Sequence, residues 1–299
     1  MRLYKLIGLK ILALQKDYKE CLKKIAEYEK ILKSRDGMNR VIKEDLDHIK
    51  EEFAQPRKTL IENGKEAVYE ESAVAVSEVV FVMDRFGYCK LLDRSTYDRN
   101  RETVDTEYKY VIPCLNTDKL CVFTDTGNLH QIKLMEIPSG KRRDKGTPID
   151  NLSKYDGSKE EIIFLTNFGR LTGQILLFAT KMAMVKQVPA EEFVTNNRTV
   201  ASTKLQEGDS LLTVRIVGTE TDLALQSASG MFLRFSMEDI PELKKNSRGV
   251  RGMKLGAGDE LENVYFVTQQ PQITYKEKEV HLNRLKLAKR DGKGSKVRL

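Results

Sequence analysis

Two hydrophobic periods divide the chain. From residue 4 to 32, Tyr4, Ile7, Ile11, Leu14, Tyr18, Cys21, Ile25, Tyr28 and Leu32 fall alternately three and four apart, the seam of a coiled-coil helix. Lys and Glu fill the other faces. Ser34-Arg35-Asp36-Gly37-Met38-Asn39 predicts a turn. A second helix carries Ile42, Leu46, Ile49 and Phe53 on one stripe, and Pro56 is expected to stop it. Two readings fit this pattern: two helices of an ordinary bundle, or a coiled-coil arm whose partner strand lies outside this chain. Met1 opens directly into the heptad, which suggests a piece of something longer. Residues 55–72 are polar, with Pro56 and Gly64, and read as a linker between a helical arm (1–54) and a second domain (73–299).

In the second domain the helical period gives way to short apolar runs broken by turn chemistry. One unit, apolar run, turn, second run, recurs five times. It appears at Val79-Val80-Phe81-Val82-Met83 before Asp84-Arg85-Phe86-Gly87, and again at Leu120-Cys121-Val122-Phe123 before Thr124-Asp125-Thr126-Gly127. The third starts at Leu176 with Ala183 in the glycine place, the fourth at Leu223 with Gly230, and the fifth at Val264 with Pro271 there. Strand, Asp-x-x-Gly turn, strand reads as a β-hairpin. Irregular repeats of this size with several strands each predict a mainly β, propeller-like fold of about five blades.

A second landmark keeps step with the hairpins. Lys145-Gly146-Thr147, Arg198-Thr199-Val200, Arg248-Gly249-Val250 and Lys293-Gly294-Ser295 each open on a basic residue, usually beside glycine, and run on to a leucine. Basic residues cluster around them. Lys141, Arg142, Arg143 and Lys145 precede the first; Arg198 and Lys204 belong to the second; Lys244, Lys245, Arg248, Arg251 and Lys254 surround the third. Lys286, Lys289, Arg290, Lys293, Lys296 and Arg298 surround the last. The expectation is one basic loop per blade at an equivalent place, together forming a curved track for a phosphate backbone. Lys90, Lys133, Lys186 and Arg234 follow the hairpin turns and read equally well as part of that rim or as polar faces of half-buried strands. Phe81, Phe123, Phe178, Phe232 and Phe266 read as core, and His130 and Cys121 as structural.

Charge narrows the partner. The formal net charge is +7, but residues 65–138 carry −4 and residues 281–299 carry +6. A polyanion would meet local basic loops and a basic tail rather than a uniformly positive body. No apolar run reaches the roughly 18 residues that a spanning helix needs, so no membrane partner is expected. The four cysteines form no Cys-x-x-Cys pair and the three histidines stand far apart, which fits a reducing cytoplasm and argues against a His-based metal site. Glu191-Glu192 and Asp259-Glu260 fall at predicted turns, and no Walker loop or Ser-His-Asp signature is visible.

The arm segments Met1-Arg2-Leu3-Tyr4-Lys5-Leu6-Ile7-Gly8-Leu9-Lys10, Ala26-Glu27-Tyr28-Glu29-Lys30-Ile31-Leu32 and Phe53-Ala54-Gln55-Pro56-Arg57-Lys58-Thr59, with the Arg248-Gly249-Val250-Arg251-Gly252-Met253-Lys254-Leu255 loop, resemble the C-terminal half of the A subunit of bacterial type IIA topoisomerases, gyrase and topoisomerase IV. The resemblance covers essentially the whole chain. It implies a coiled-coil arm near the C-gate followed by a β-pinwheel that binds and bends DNA on its rim. The implied partners are double-stranded DNA, a B subunit and, as a homodimer through the arm, a second A subunit. The implied setting is cytoplasmic and nucleoid-associated. Mg²⁺ and ATP would be used elsewhere in the holoenzyme, with no cofactor on this chain. Two departures stand out. The stretch in the place of gyrase's QRRGGKG-type basic box is Tyr97-Asp98-Arg99-Asn100-Arg101-Glu102-Thr103, which argues against gyrase-style wrapping and towards a topoisomerase IV-like or divergent subunit. The family's catalytic tyrosine follows an arginine, and none of the eleven tyrosines here does, so the chain is expected not to cut DNA by itself.

Three functions follow as hypotheses. The first is a DNA-binding and DNA-guiding part of a type II topoisomerase. The second is a protein-interaction propeller on a coiled-coil stalk, and the third an enzyme acting at a propeller's central channel.

Overall fold

The computed structural model describes residues 3–55, 58–59 and 75–297, with side chains from residue 10 onward. The chain divides into two compact units, Met1–Glu71 and Ser72–Leu299. Most of the linker stretch, including Pro56, lies outside the described residues.

The first unit contains helix α1 (Leu3–Lys33) and helix α2 (Arg35–Phe53). The turn expected over residues 34–39 shrinks to one residue. Ser34 alone leaves the helical region (φ −123°, ψ 120°), and its Oγ accepts the Gly37 N–H at 3.1 Å. A serine N-cap satisfies one of the first-turn donors, so a new helix starts at once and takes Gly37 inside it. The apolar stripe is exposed: Ile11, Leu14, Tyr18, Ile25, Tyr28 and Leu32 on α1, and Ile42, Leu46, Ile49 and Phe53 on α2.

Among its described residues the second unit holds four four-stranded antiparallel sheets and one two-stranded hairpin. In the first blade Glu78–Met83 and Tyr88–Asp93 form the hairpin, with Tyr110–Leu115 beyond the first of these strands. The second blade uses Lys119–Thr124, Asn128–Lys133 and Ile162–Asn167 in the same way. The third uses Ile175–Thr180, Met184–Pro189 and Leu211–Val217. The fourth uses Asp222–Ser227, Met231–Ser236 and Leu261–Phe266. The hairpin turns fall where turn chemistry places them. Gly87, Gly127 and Gly230 take positive φ, and Ala183 takes φ 58° in the same role. Asp84 Oδ1 accepts the N–H groups of Phe86 and Tyr88 and fixes the first turn.

The first strand of each hairpin is apolar at nearly every position because both of its faces are covered. In the second blade, Leu120 and Val122 pack with Phe81, Met83 and Leu91 of the first blade. Cys121 and Phe123, on the opposite face, pack with Leu176 and Phe178 of the third. Phe123 meets the Phe178 and Phe193 rings edge-on, with centroids 5.9 and 5.6 Å away. Leu177 and Val185 continue the stack to Leu225, Leu233 and Phe235 of the fourth blade. The five repeated phenylalanines are all buried, each contributing roughly 1.5–3 kcal/mol of transfer free energy.

The two outer faces of this stack are covered differently. Val80, Val82 and Leu92 of the first blade pack under Tyr97 and Val104, which sit on α3 (Arg94–Arg99) and α4 (Arg101–Glu107). The stretch read as the place of a basic box is therefore helical, and its inward residues serve as a lid on the first blade. On the far side, Ala224 and Phe232 pack with Ile273, Val280 and Leu282. That fifth unit is the hairpin Gln272–Tyr275 with Lys278–His281. Its turn is at Lys276 and Glu277, both with positive φ, and not at Pro271. Val264–Phe266, expected in that hairpin, instead belongs to the outer strand of the fourth blade.

The fourth strand of each blade comes from the next repeat. Thr147–Pro148, downstream of the second hairpin, pairs with Tyr88 and Cys89 of the first blade. Thr199–Ala201 returns to the second blade, Val250–Arg251 to the third and Ser295–Lys296 to the fourth. The basic landmarks thus complete the preceding blade, not their own. Glycine stands before three of these strands because the backbones approach closely: a Cβ on Gly249 would lie 2.6 Å from Val185 O, at φ +89°, and one on Gly146 2.5 Å from Cys89 O. By register Thr199 holds the corresponding place in the second blade, without positive φ. Gly249→Ala is expected to lower the unfolding free energy by about 1–3 kcal/mol, and Arg198→Ala by less than about 1 kcal/mol, as measured by urea midpoints of the two variants.

Candidate nucleic-acid interface

Strand return gives each blade one loop that runs along its second hairpin strand before pairing. The equivalence is visible in the backbone: Leu91 bridges Ser139, Gln187 bridges Glu242, and Arg234 bridges Leu287, all in parallel. In the second blade the Gln131 N–H donates to Arg198 O at 2.7 Å.

The loop at residues 139–146 lies on the first blade. Lys141, Arg143 and Lys145 are exposed there, with the Lys145 ammonium 4.2 Å from the Tyr88 ring centroid. Arg142 is half-buried and reaches Glu107 at 3.0 Å. The loop at 242–249 lies on the third blade with Lys244 and Arg248 exposed, while Lys245 Nζ donates to Glu192 O at 2.5 Å. The fourth blade carries exposed Lys286, Lys289, Lys293 and Lys296. Arg290 is tied down there by the carbonyls of Asp239 and Arg251. Arg251 pairs with Asp291 across to that loop, and the pairing holds the Asp291 carboxyl below the usual carboxylate range. Arg298 lies outside the described residues.

The second blade differs. Its loop at 194–198 reads Val194-Thr195-Asn196-Asn197-Arg198, and Arg198 is paired with Glu136 at 2.8 Å. Lys204 is exposed further along, its N–H donating to Ser247 O. The exposed cations therefore gather on the first, third and fourth blades. The basic loops downstream of the second, fourth and fifth hairpins thus each dock on the blade before that hairpin.

The rim residues expected after the hairpin turns are not alike. Lys133 is exposed, but Lys90 and Lys186 are 1% exposed. Lys90 Nζ donates to Lys141 O at 2.9 Å, to Arg142 O at 2.7 Å and to Asp144 O. Lys186 Nζ donates to Lys244 O at 3.5 Å, Lys245 O at 2.7 Å and Ser247 O at 2.9 Å. Three carbonyls match the three protons of an ammonium, which offsets part of the cost of burying it. His130 holds the equivalent place in the second blade and bonds Thr199 Oγ1 at 3.0 Å and Glu160 Oε2 at 2.8 Å. Leu233 holds it in the fourth, where the neighbouring Arg234 instead donates to Asn283 and Leu285 carbonyls. A lysine inside an otherwise apolar strand, at one place in two repeats, was the available signal.

Burial pushes the Lys186 ammonium down from 10.5 to about 8, with the Glu192 charge acting the other way. Between these values the unfolded chain binds the proton and the folded chain does not. The Lys186 contribution to stability therefore rises with pH from about 8 towards 10.5 and is flat below that window. Denaturant unfolding of the wild type and of Lys186→Met at about pH 7.5 and pH 9.5 is expected to show their difference moving in favour of the wild type, by up to about 1.4 kcal/mol per pH unit inside the window.

Comparison with known proteins fits this architecture. The family model for the DNA gyrase C-terminal domain, β-propeller, matches residues 118–157, 174–218 and 221–268. The A subunit of DNA gyrase from Helicobacter pylori (strain J99) is 30% identical over 273 aligned positions, covering 87% of this chain and 33% of the relative. Its counterpart from Staphylococcus aureus (strain NCTC 8325) is 27% identical over 322 aligned positions, covering 99% of this chain and 36% of the relative. The chain thus spans about a third of the length of the curated relatives it matches. Among solved structures, the C-terminal domain of DNA topoisomerase IV superposes with a TM-score of 0.66 at 22% identity, over 74% of this chain and 72% of that one. The C-terminal domain of Escherichia coli ParC gives 0.61 at 16% identity, over 74% and 94%. The β domain, with its exchanged strands and in-step turns, has the β-pinwheel fold of these C-terminal domains, residues 118–157, 174–218 and 221–268 match the DNA gyrase C-terminal domain model, and the chain is similar to part of the A subunit of DNA gyrase.

Proposed function

We propose that this chain is the DNA-binding and DNA-guiding region of a type II topoisomerase A subunit, holding a duplex against the rim of its β domain. The observation that carries the reading is the recurrence of exposed cations on structurally equivalent loops: Lys141, Arg143 and Lys145; Lys244 and Arg248; Lys286, Lys289 and Lys293. Lysine and arginine on long, adaptable stems neutralise phosphates without reading bases, so the contact is expected to be sequence-independent. Bending a duplex costs on the order of 1–6 kcal/mol, so several loops must engage one duplex together.

In this proposal the path favours the first, third and fourth blades and passes the second with little attraction, since Arg198 there is already paired. The helical stretch 94–107 supplies no glycine-rich basic box, which favours guiding over tight wrapping. The arm, with its exposed apolar stripe, is proposed to join a second A subunit, and the B subunit completes the enzyme. Mg²⁺ and ATP chemistry belongs, in this reading, to parts of the enzyme other than these residues, in a cytoplasmic, nucleoid-associated complex. Among the described residues no helix is long and apolar enough to cross a membrane.

The test is the salt dependence of duplex binding. Replacing Lys141, Arg143, Lys145, Lys244 and Arg248 by Ala together is expected to flatten the slope of log K against log salt by about 4–5, at about 0.9 per lost phosphate contact. An unchanged affinity and slope in a folded variant would remove the DNA reading and favour a protein-binding scaffold.

A further inference from the structure

We infer that Lys90 and Lys186 are positioning residues for the basic loops: each buried ammonium, acting from inside its blade, sets the loop conformation that offers cations to phosphate. The inference rests on the DNA reading above. Lys90 and Lys186 occupy the same position on the second hairpin strand of the first and third blades. Each gathers three carbonyls of its loop, those of Lys141, Arg142 and Asp144 in one case and of Lys244, Lys245 and Ser247 in the other. Both amines are buried, and these hydrogen bonds go to backbone oxygens rather than to carboxylates.

The arrangement has an electrostatic consequence. A peptide carbonyl oxygen repels an approaching phosphate, and a free loop has no reason to hide its oxygens. Turning three of them inward onto one ammonium leaves the outer surface to the side chains of Lys141, Arg143 and Lys145, or of Lys244 and Arg248. Further contacts brace the loops. Tyr108 Oη donates to Arg142 O at 3.3 Å, and its ring lies 5.4 Å from the Lys90 ammonium. The Asp144 carboxylate accepts the Lys141 N–H at 2.7 Å. Around Lys186, Lys245 is itself fixed to Glu192 O, and the Ser247 hydroxyl closes onto Lys244 O at 2.8 Å.

The second blade supplies the contrast within the same molecule. His130 stands where Lys90 and Lys186 stand, and it bonds Thr199 of the returning strand and Glu160, just ahead of the outer strand Ile162–Asn167, instead of folding the loop inward. The loop at 194–198 that His130 does not gather has one basic residue, and that residue is engaged with Glu136. In the first and third blades, loops with several exposed cations coincide with a buried lysine that gathers three of their carbonyls; the second blade's loop receives one lysine bond, from Lys119 Nζ to Thr195 O at 2.9 Å, and has no such residue.

A double-mutant cycle on the whole chain, read as fluorescence-anisotropy binding to a random-sequence duplex at about pH 7, tests this. Four proteins are compared: wild type, Lys186→Met, the loop variant Lys244→Ala/Arg248→Ala, and the combination. Lys186→Met is expected to weaken binding by about as much as the loop variant and to flatten the salt slope by about 2. The combination is expected to lose little beyond either, and Lys186→Arg to restore most of the affinity. Purely structural damage would lower the melting temperature without this change in slope and would add to the loop variant. A folded Lys186→Met with wild-type affinity and slope, or full additivity, overturns the inference. Should Lys186→Met not fold, Lys186→Gln and the matching Lys90→Gln in the first blade are read by the same criteria. If the loop variant itself binds like wild type, the DNA reading has failed; if it weakens binding while the Lys186 variants do not, only this inference has.

Discussion

A three-stranded sheet with a bare edge leaves a row of backbone donors and acceptors unpaired, and every blade here faces that problem. The solution is to close each edge with a strand delivered by the next repeat. Tyr88 and Cys89 receive Thr147 and Pro148; Met184 and Val185 receive Val250 and Arg251. The rest of the architecture follows from that pairing. The incoming strand must pass close to the receiving backbone, which requires glycine at 146 and 249. The segment leading into it must lie along the blade, which places the basic loops at equivalent positions. The blades, joined edge to neighbour, then bury both faces of their hairpin strands against one another.

Where the local chemistry was decisive, the sequence could be read directly. Gly87, Gly127 and Gly230 mark turns because only a positive φ closes them, and even Ala183 was recognisable from its setting. Continuous apolar runs signalled strands covered on both faces. The strand return was not legible, because its two partners lie far apart in the chain and a two-residue strand carries no periodicity of its own. The basic loops are therefore visible in the sequence, but the blade on which each one lies is not. Pro271 attracted the fifth turn because proline is common in turns, while the true one uses Lys276 and Glu277 in a left-handed conformation that ordinary residues rarely take. Likewise Gly37 suggested a turn, but the Ser34 hydroxyl starts a helix that carries it.

The candidate site was half legible for a related reason. Exposed lysines and arginines announce themselves by clustering. Lys90 and Lys186 do not, since a lysine in a strand ordinarily reads as a solvated face. What distinguishes them is what lies above the amine, three carbonyls of a distant loop, and that is a property of the fold alone. The helical lid at 94–107 is a similar case. Its two arginines invited comparison with a basic box, but Tyr97 and Val104 give the stretch a packing role on a face that no earlier blade covers.

The returning strands also bear on how the chain folds as it is synthesised. A blade of this kind cannot finish when its own hairpin leaves the ribosome, because its closing strand belongs to the following repeat. Assembly must then proceed with a lag of one blade, each hairpin waiting with an open edge until its successor emerges. The fourth blade is the last of the four to close: its closing residues, Ser295 and Lys296, stand almost at the end of the described chain. Those few residues, set in a run of lysines that reads as a solvated tail, are the last stitch of the sheet.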